Sequence, residues 1–399
     1  MTIAHNPDSY LDYQDFYMPK VIRFGVNTLQ TLPEWIEKYT CKKIAVISDK
    51  GIEKAGLAEK VVDFIQSLSI PYCTYTEIIG EPTFPLVEDV ITFVEKEQCD
   101  MVIGIGGGSA IDVAKTVAAL IGKDNVAQYL YHDKTIEVRE IPCIILPTTA
   151  GTGAEVTMNA IFGDKEKELK KGIVSPALLP DVAIIDPSLT FSCPTRVTAS
   201  SGVDAFTHAI ESYVSPKATP MTKAYAEKAM SLFPGNIYKA VFNGKELPAR
   251  IGMSWVSHLA GISLANAGVG AVHALSYPLG GKYNIEHGVA NALLMPYVFE
   301  VTGEAIVTEM VEVANLLKLG DFWNCPHEAT QSVVKYLHQL VFELGLPTNL
   351  KDLQVAERDL PILAKQAFKV KRLLDNTPYE LNESEILTIY ENAYVGRHL

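Results

Sequence analysis

The sequence lacks closely spaced cysteine pairs, an excess of basic residues, internal repeats and low-complexity tracts. Its six cysteines lie far apart, without the CxxC spacing of zinc knuckles, so we expect buried, reduced thiols. Acidic residues outnumber basic ones by 47 to 34, which gives a net charge of −13. A surface of this charge repels phosphate backbones and argues against a nucleic-acid partner.

Long uncharged apolar runs are also missing. The most apolar long stretch, 101–122, is interrupted by Asp112 and Lys115, and the first residues show neither a basic region nor an apolar core. We therefore expect a cytoplasmic protein that is neither exported nor inserted in a membrane. With 399 residues, 48% of them hydrophobic, the chain is long enough for two or three packed domains.

Short β-branched runs alternate with helical patterns between about residues 40 and 190, which is typical of an α/β domain with a parallel sheet. The predicted strands are 43–49, 72–78, 100–107, 143–149 and 182–187, and the predicted helices between them are 52–68, 85–97 and 109–121. The segment 156–174 differs, because two strand-like runs flank a charged tip at 163–169, and it predicts a projecting hairpin.

After Pro187 the strand patterns stop and amphipathic helical patterns continue to the end of the chain. We place a domain boundary near residue 190, which divides the chain into an α/β domain (1–190) and an all-helical domain (191–399). Helix breaks are expected near Pro234, Pro278, Pro296 and Pro347.

A glycine-rich turn follows the predicted strand 100–107 and precedes a helix. Small residues at Gly106, Gly107 and Ser109 let backbone amides and a helix N-terminus approach a dinucleotide pyrophosphate. The turn departs from the GxGxxG fingerprint and follows the third strand, so the domain is Rossmann-like rather than an ordinary Rossmann fold. The alternative is a tight turn without a ligand. A second small-residue turn, 147–153, leaves the next strand and favours the cofactor interpretation.

Asp49 ends the first predicted strand, just before Gly51. From there its carboxylate can accept hydrogen bonds from an adenosine ribose and repel a 2′-phosphate, which predicts NAD rather than NADP. An N-cap for the next helix is an equally good interpretation. Both remain open at this stage.

Four histidines fall in the densest part of the helical half. Asp204 and His208 are four residues apart and leave the same face of a helix, while His273 and His287 lie in apolar surroundings where a lone imidazole is costly. Three imidazoles and one carboxylate suit iron(II) or zinc with an open position. We interpret the fourth, His258, as a core histidine, and His5, His132, His327, His338 and His398 as solvated.

With these motifs the sequence resembles the iron-containing alcohol dehydrogenases, which are related to glycerol dehydrogenases and dehydroquinate synthases. The resemblance spans nearly the whole chain and is carried by KVIRFGVNTL, ISDKGIEKAGL, GIGGGSAIDVAK, PTTAGTGAEVT, KKGIVSPALLPDVAIIDP, SSGVDAFTHAIESYVS, VHALSYPLGGKYNIEHGVANALLMP and NTPYELNESEILTIYENAY.

The resemblance implies a dehydroquinate synthase-like fold: an α/β dinucleotide-binding domain, an all-α metal-binding domain and a cleft between them, in a homodimer. It implies Asp204, His208, His273 and His287 as metal ligands, and Asn159, Leu264 and Tyr277 beside the substrate. It places NAD on Asp49, Gly106, Gly107, Ser109, Asp112, Thr148, Thr149, Thr152, Lys170 and Leu189. The neighbouring Lys171 leaves the register of Lys170 open.

One position departs from the family pattern. Where much of the family has a second histidine before a proline, this sequence has Tyr277, one helical turn beyond His273. The tyrosine can hold substrate, relay a proton or reshape the pocket, and we expect protons to leave through Tyr277 or His287.

The function expected from the resemblance is hydride transfer between NAD(H) and a small alcohol or aldehyde at a divalent metal. Three alternatives remain open from the residues. They are a glycerol dehydrogenase-like enzyme, a dehydroquinate synthase-like enzyme and a catalytically silent protein that binds NAD and metal.

Overall fold

The computed structural model describes residues 15–132, 134–164 and 169–397. A six-stranded parallel sheet forms the N-terminal part, with strand order β1-β8-β5-β4-β2-β3. Its strands are β1 (Val21–Phe24), β2 (Ile44–Asp49), β3 (Tyr72–Ile78), β4 (Met101–Gly106), β5 (Cys143–Pro147) and β8 (Val182–Ile185). The predicted α/β domain and its five strands are therefore confirmed. The edge strand β1 was not predicted.

The central strands are apolar on both sides because helices cover both faces of the sheet. All residues of β4, β5 and β8 are buried, and alternate side chains of one strand contribute to opposite cores. Each buried aliphatic side chain contributes about 1.5–3 kcal/mol, so continuous β-branched runs favour a central position in a parallel sheet.

The helices of this part are α1 (Leu32–Tyr39), α2 (Lys50–Lys54), α3 (Leu57–Ser67), α4 (Phe84–Lys96), α5 (Gly108–Leu120) and α6 (Ala127–Leu130). The helix predicted over 52–68 is two helices, because Gly56 adopts a left-handed conformation with φ of 69° between them. The other two predicted helices match α4 and α5 within one residue.

The predicted hairpin is present as the antiparallel pair β6 (Asn159–Asp164) and β7 (Leu169–Val174). Most of the charged tip, 165–168, lies outside the described residues. The hairpin reaches the helical part of the molecule, where β7 packs against the helix Ala271–Tyr283.

The rest of the chain is helical. Its helices are α7 (Thr195–Val214), α8 (Pro220–Phe242), α9 (Leu247–Ala267), α10 (Ala271–Tyr283), α11 (His287–Thr302), α12 (Val307–Leu316), α13 (Pro326–Glu343), α14 (Leu360–Phe368), α15 (Lys371–Leu374) and α16 (Glu383–Val395). The last sheet strand ends at Ile185 and α7 begins at Thr195, and we retain a domain boundary near residue 190 as a proposal.

Three of the expected helix breaks are wrong. Pro234, Pro278 and Pro296 lie inside α8, α10 and α11, which continue through them. These helices are packed in the core of the helical part, and tertiary burial outweighs the cost of the lost backbone hydrogen bond. Pro347 lies outside a helix, as expected.

Within the described ranges no single helix is long and apolar enough to cross a membrane. Among the described helices, only α9 and α10 taken together have the length and composition of a membrane-spanning segment, and this pair is bent by 100° at the break between them.

Candidate active site

The glycine-rich turn connects β4 to α5 and lies against the second small-residue turn. Gly106 has a φ of 156°, and a Cβ atom there would lie 2.7 Å from the Cβ of Ala110, so the turn requires glycine. A Cβ at Gly108 would lie 2.7 Å from Cγ2 of Thr152. The backbone amide of Thr148 donates to the carbonyl of Gly106 at 2.9 Å. The two turns thus form one surface at the N-terminus of α5.

Most of the residues predicted to bind the cofactor lie on or beside this surface. Gly107 is the N-cap of α5 and makes no side-chain cap, and Ser109 is in the first turn of the helix. The position of a Cβ on Gly107 is 3.5 Å from Cγ2 of Thr149. The buried hydroxyl of Thr148 has no hydrogen-bond partner among the residues that the structure describes. Leu189 is different, because it is buried in a 3₁₀ turn and packs in the sheet core.

Asp49 is the N-cap of α2. Its Oδ1 accepts hydrogen bonds from the amides of Gly51 and Ile52 at 2.8 and 3.0 Å. Its other oxygen, Oδ2, lies 3.0 Å from the position of a Cβ on Gly106. Burial raises the pKa of this carboxyl, and the two amides oppose that rise. The N-cap interpretation is confirmed, while Oδ2 is left facing the glycine turn.

A buried ion pair ties α5 to the hairpin. Lys115 is fully buried, lies 3.1 Å from Asp112 and donates to the carbonyls of Ala154 and Asn159 at 2.9 and 2.6 Å. Asp112 also accepts from the amide of Ile161 at 2.9 Å. Burial raises the pKa of Asp112, and Lys115 acts against that rise. Lys115 was not predicted, although its i,i+3 spacing from Asp112 is visible in the sequence.

The two candidate lysines of the hairpin point to different neighbours. Lys170 is buried, and its Nζ lies 2.7 Å from Oε2 of Glu81 and close to Gly280 of α10. Lys171 donates to the carbonyl of Tyr131 at 3.0 Å, away from this region. Of the two, Lys170 faces the histidine-bearing helices.

The predicted metal ligands converge from three helices. Asp204 and His208 come from α7, His273 from α10 and His287 from the first turn of α11. One ligand atom from each lies within 4.8 Å of all the others. Oδ1 of Asp204 is 3.7 Å from Nε2 of His208 and 3.9 Å from Nε2 of both His273 and His287.

The electrostatics of this cluster suit a cation. Burial alone would raise the pKa of Asp204, but the neighbouring imidazoles hold it below its usual value. Burial lowers the pKa of His208 and lowers that of His287 well below the ordinary value, with Asp204 opposing both shifts. The cluster therefore combines one carboxylate with two imidazoles, those of His208 and His287, that favour the neutral, metal-binding form.

Two polar residues that sequence reasoning missed organise the cluster. The side-chain amide of Asn291 donates to Asp204 at 2.7 Å and lies 3.1 Å from Nε2 of both His273 and His287. The two amide hydrogens of Asn291 cannot satisfy three acceptors. The carboxylate oxygen and the imidazole nitrogens therefore suit a divalent cation better than this amide alone. Glu211, one turn after His208, contacts Nδ1 of His273 at 2.5 Å. Its helical spacing was a usable signal.

Tyr277 is buried one helical turn beyond His273. Its ring centroid lies 6.3 Å from that of His287. Burial raises the pKa of its hydroxyl, and the nearby guanidinium of Arg372 opposes that rise. Arg372, a residue that the sequence did not indicate, lines the same cavity as Tyr277 and the ligand cluster.

Residues of the two turns, the hairpin and the ligand cluster line one cavity of about 590 Å³. The glycine turn and the hairpin contribute Ser109, Asp112, Thr152 and Asn159, and the helical part contributes Leu264, Tyr277 and the four clustered ligands. A surface for a dinucleotide and a candidate metal centre thus open into the same space.

The remaining histidines fall into two groups. His258 is buried and lies 3.4 Å from Glu155, as expected for a core histidine, while His132 and His327 are exposed. The expectation that His338 is solvated is wrong, because it lies on the buried face of α13 against Tyr297. His5 and His398 lie outside the described residues.

The comparisons with known proteins agree on one family. Residues 19–187 match "Iron-containing alcohol dehydrogenase" and residues 198–394 match "Fe-containing alcohol dehydrogenase family, C-terminal". The chain is 39% identical to long-chain-alcohol dehydrogenase 1 of Geobacillus thermodenitrificans, over 95% of this chain and 96% of the relative. It is 34% identical to 1,3-propanediol dehydrogenase of Klebsiella pneumoniae, over 95% and 98% of the two chains.

Solved structures give the same result. An alcohol dehydrogenase from Oenococcus oeni superposes with a TM-score of 0.90 at 31% identity, over 96% of this chain and all of that one. The chain therefore belongs to the iron-containing alcohol dehydrogenase family and is an oxidoreductase that acts on CH–OH groups.

Proposed function

We propose that this protein is a metal-dependent NAD(H) alcohol dehydrogenase and aldehyde reductase. It transfers a hydride between nicotinamide and a small alcohol or aldehyde. The observation that carries the proposal is the convergence of Asp204 and three histidines in the cavity that the glycine turn also lines.

The residues proposed to hold the metal are Asp204, His208, His273 and His287. Iron(II) is the proposed ion, and zinc accepts the same ligands. When bound, such a cation supplies Lewis acidity that lowers the pKa of an alcohol hydroxyl and polarises an aldehyde carbonyl.

For the cofactor we propose that the pyrophosphate lies at the N-terminus of α5, on the joined turns. The residues assigned to cofactor binding are Asp49, Gly106, Gly107, Ser109, Asp112, Thr148, Thr149, Thr152, Lys170 and Leu189. The buried hydroxyl of Thr148, which lacks a partner among the described residues, supports this placement. The Oδ2 atom of Asp49, which faces the glycine turn, supports NAD over NADP.

Beside the ligand cluster, Asn159 and Leu264 line the cavity and are proposed to contact the substrate. Tyr277 and His287 are proposed as the groups that hold or pass the proton of the substrate hydroxyl. The ring centroids of Tyr277 and His287 are 6.3 Å apart, and the side chain of His287 is 31% exposed.

The test is purification without oxygen and metal analysis, followed by NADH oxidation with a panel of small aldehydes after addition of Fe²⁺ or Zn²⁺. We expect one metal per chain and metal-dependent loss of NADH absorbance. His273→Ala is expected to lose metal and turnover together. The matched control is His327→Ala, because His327 is exposed and distant from the cluster.

Turnover by a metal-free His273→Ala protein would contradict the proposal. Bound metal and NADH without turnover of any aldehyde or alcohol would favour the silent binding protein. Activity confined to glycerol or to a dehydroquinate precursor would favour the other enzymes of this scaffold. We further propose that the protein is cytoplasmic and forms a homodimer. Gel filtration with light scattering tests the oligomeric state.

A further inference from the structure

An exposed, positively charged side chain of the helical part lines the active-site cavity. Arg372, on the short helix α15, lines the cavity together with Tyr277. One guanidinium nitrogen, Nη2, lies 3.5 Å from the position of a Cβ on Gly172 of β7. The Arg372 guanidinium thus lies beside the hairpin strand β7, and its charge acts on the nearby Tyr277 hydroxyl.

The acidic residues that line this cavity are already engaged elsewhere. Glu81 pairs with Lys170 at 2.7 Å, Asp112 with Lys115 at 3.1 Å, and Glu286 with Arg196 at 3.2 Å. Asp204 faces the imidazoles. In the part of the chain that the structure describes, Arg372 forms no ion pair with a carboxylate.

Unlike Arg372, the neighbouring cationic side chains are already engaged by other groups. Lys170 is neutralised by Glu81, and the adjacent Lys371 lies 3.7 Å above the ring of Phe368, outside the cavity lining. An arginine fork beside a tyrosine hydroxyl is a binding site for a planar oxyanion, because both groups donate hydrogen bonds and the guanidinium supplies the charge.

The position of the fork sets the size of the ligand. The ring of Tyr277, which lines the cavity together with Arg372, has its centroid 6.3 Å from that of His287. A molecule with its reacting oxygen near the cluster and an anionic group a few bonds away spans this length. Longer neutral chains would place apolar carbon against an unpaired guanidinium.

We propose that the enzyme prefers a short aldehyde or alcohol with an anionic oxyacid group at its far end, above all a carboxylate, bound by Arg372 and Tyr277. This rests on the proposed function of the same site. In the reductive direction NADH gives a hydride to the carbonyl carbon and becomes NAD⁺. The carbonyl oxygen takes one proton from solvent, and the product is the hydroxy acid.

The test compares 4-oxobutanoate with the neutral pentanal on the metal-loaded enzyme, with 3-sulfopropanal as the tetrahedral oxyanion. We expect kcat/KM for 4-oxobutanoate to exceed that for pentanal at least tenfold. Arg372→Gln is expected to lower the ratio of the two values about 10- to 100-fold, and Arg372→Lys to restore part of it. Lys371→Gln, the matched loss of one charge on the same helix, is expected to leave the ratio unchanged.

A binding experiment keeps the proposal independent of turnover. Isothermal titration calorimetry with succinate and NAD is expected to give binding to the unmodified protein and at least tenfold weaker binding to Arg372→Gln. Thermal unfolding checks that this variant is folded. Preference for either oxyanion over pentanal supports the proposal, and the ratio between the two anions identifies the natural group.

Turnover of pentanal as efficient as that of both anions, or a ratio insensitive to Arg372→Gln, overturns the proposal and leaves the dehydrogenase function intact. Absence of turnover with every aldehyde overturns the proposed function instead. In that case the succinate titration still decides the role of Arg372.

Discussion

The Nδ1 atom of His273 lies 2.5 Å from Oε2 of Glu211, and both side chains are buried between α7 and α10. The second carboxylate oxygen of Glu211 accepts the backbone amide of Val272 at 2.7 Å. Because Nδ1 donates to the carboxylate, the lone pair of Nε2 faces Asp204 and the other imidazoles. Glu211 thus fixes the orientation and the tautomer of a metal ligand without touching the metal position.

We expect Glu211→Ala to lower metal affinity about 10- to 100-fold, because His273 loses the group that orients it. The measurement is the metal content after dialysis against graded chelator concentrations. Glu312→Ala is the matched control, since Glu312 accepts a hydrogen bond from Tyr213, two residues beyond Glu211, and shows no contact with the four clustered ligands in the described part of the chain. Equal metal retention in the two variants would contradict the orienting role.

The two interpretations of Asp49 can be separated by two substitutions. Asp49→Ser keeps a side-chain oxygen for the N-cap and removes the charge, whereas Asp49→Ala removes both. We expect both variants to accept NADPH at least tenfold better relative to NADH, since the carboxylate no longer repels a 2′-phosphate. Only Asp49→Ala is expected to lose a further ~1 kcal/mol of stability from the missing cap.

Steady-state kinetics with the two cofactors and urea unfolding provide the two measurements. If NADPH use stayed unchanged in both variants, Asp49 would be an N-cap only. The unmodified chain and Lys42→Ala, a change on the surface near the other end of β2, serve as references.

The fold was predictable where burial is uniform. Strands β2, β4 and β5 are apolar on both faces, so they stand out as continuous β-branched runs. Strand β1 was missed because it has only four residues and pairs with β8, about 160 positions later. A pairing between segments so distant leaves no local pattern.

Those residues of the candidate site that follow helical periodicity were predictable. Asp204 and His208 share one helix face, and their spacing alone places both in one cluster. Asn291 and Arg372 gave no signal, because an ordinary core asparagine and a surface arginine have the same local pattern. Their roles depend on the packing of α11 and α15 around the cavity, which only the three-dimensional structure shows.

Two glycines join the second turn to the helical part. A Cβ on Gly261 of α9 would lie 2.8 Å from Cα of Gly153, and Gly153 itself has a φ of 60°. We expect Gly261→Ala to destabilise the protein by about 1–3 kcal/mol, because backbone on both sides must move apart. It is also expected to weaken NADH binding, since the turn that carries Thr152 shifts.

Urea unfolding and NADH fluorescence titration measure these effects. The matched control is Gly235→Ala in α8, where an added Cβ meets nothing within 4 Å. Removing a helical glycine there is expected to stabilise the protein by up to ~1 kcal/mol. Equal stability of the two variants would show that the Gly153–Gly261 contact adapts without cost.

His338 is expected to make the fold sensitive to acid. Its ring packs edge-on against Tyr297 at 4.8 Å between centroids, and within the described ranges Nε2 has no hydrogen-bond partner. Burial lowers the pKa of this imidazole to about 4, and the charge of Arg397 contributes. Between pH 6.5 and about 4 the unfolded chain binds a proton that the folded chain refuses, so stability falls as the pH falls.

The full difference amounts to about 3 kcal/mol below pH 4 and vanishes above pH 7. His338→Gln removes the titration, so we expect a flatter dependence of the unfolding free energy on pH between 7 and 4.5. At pH 8 the imidazole is neutral in both states, and the difference between variant and parent there measures packing alone. Only the change in this stability difference between pH 8 and pH 4.5 reports the protonation of His338. A difference that stays constant from pH 8 to pH 4.5 would mean that solvent reaches the imidazole of His338 in the folded protein.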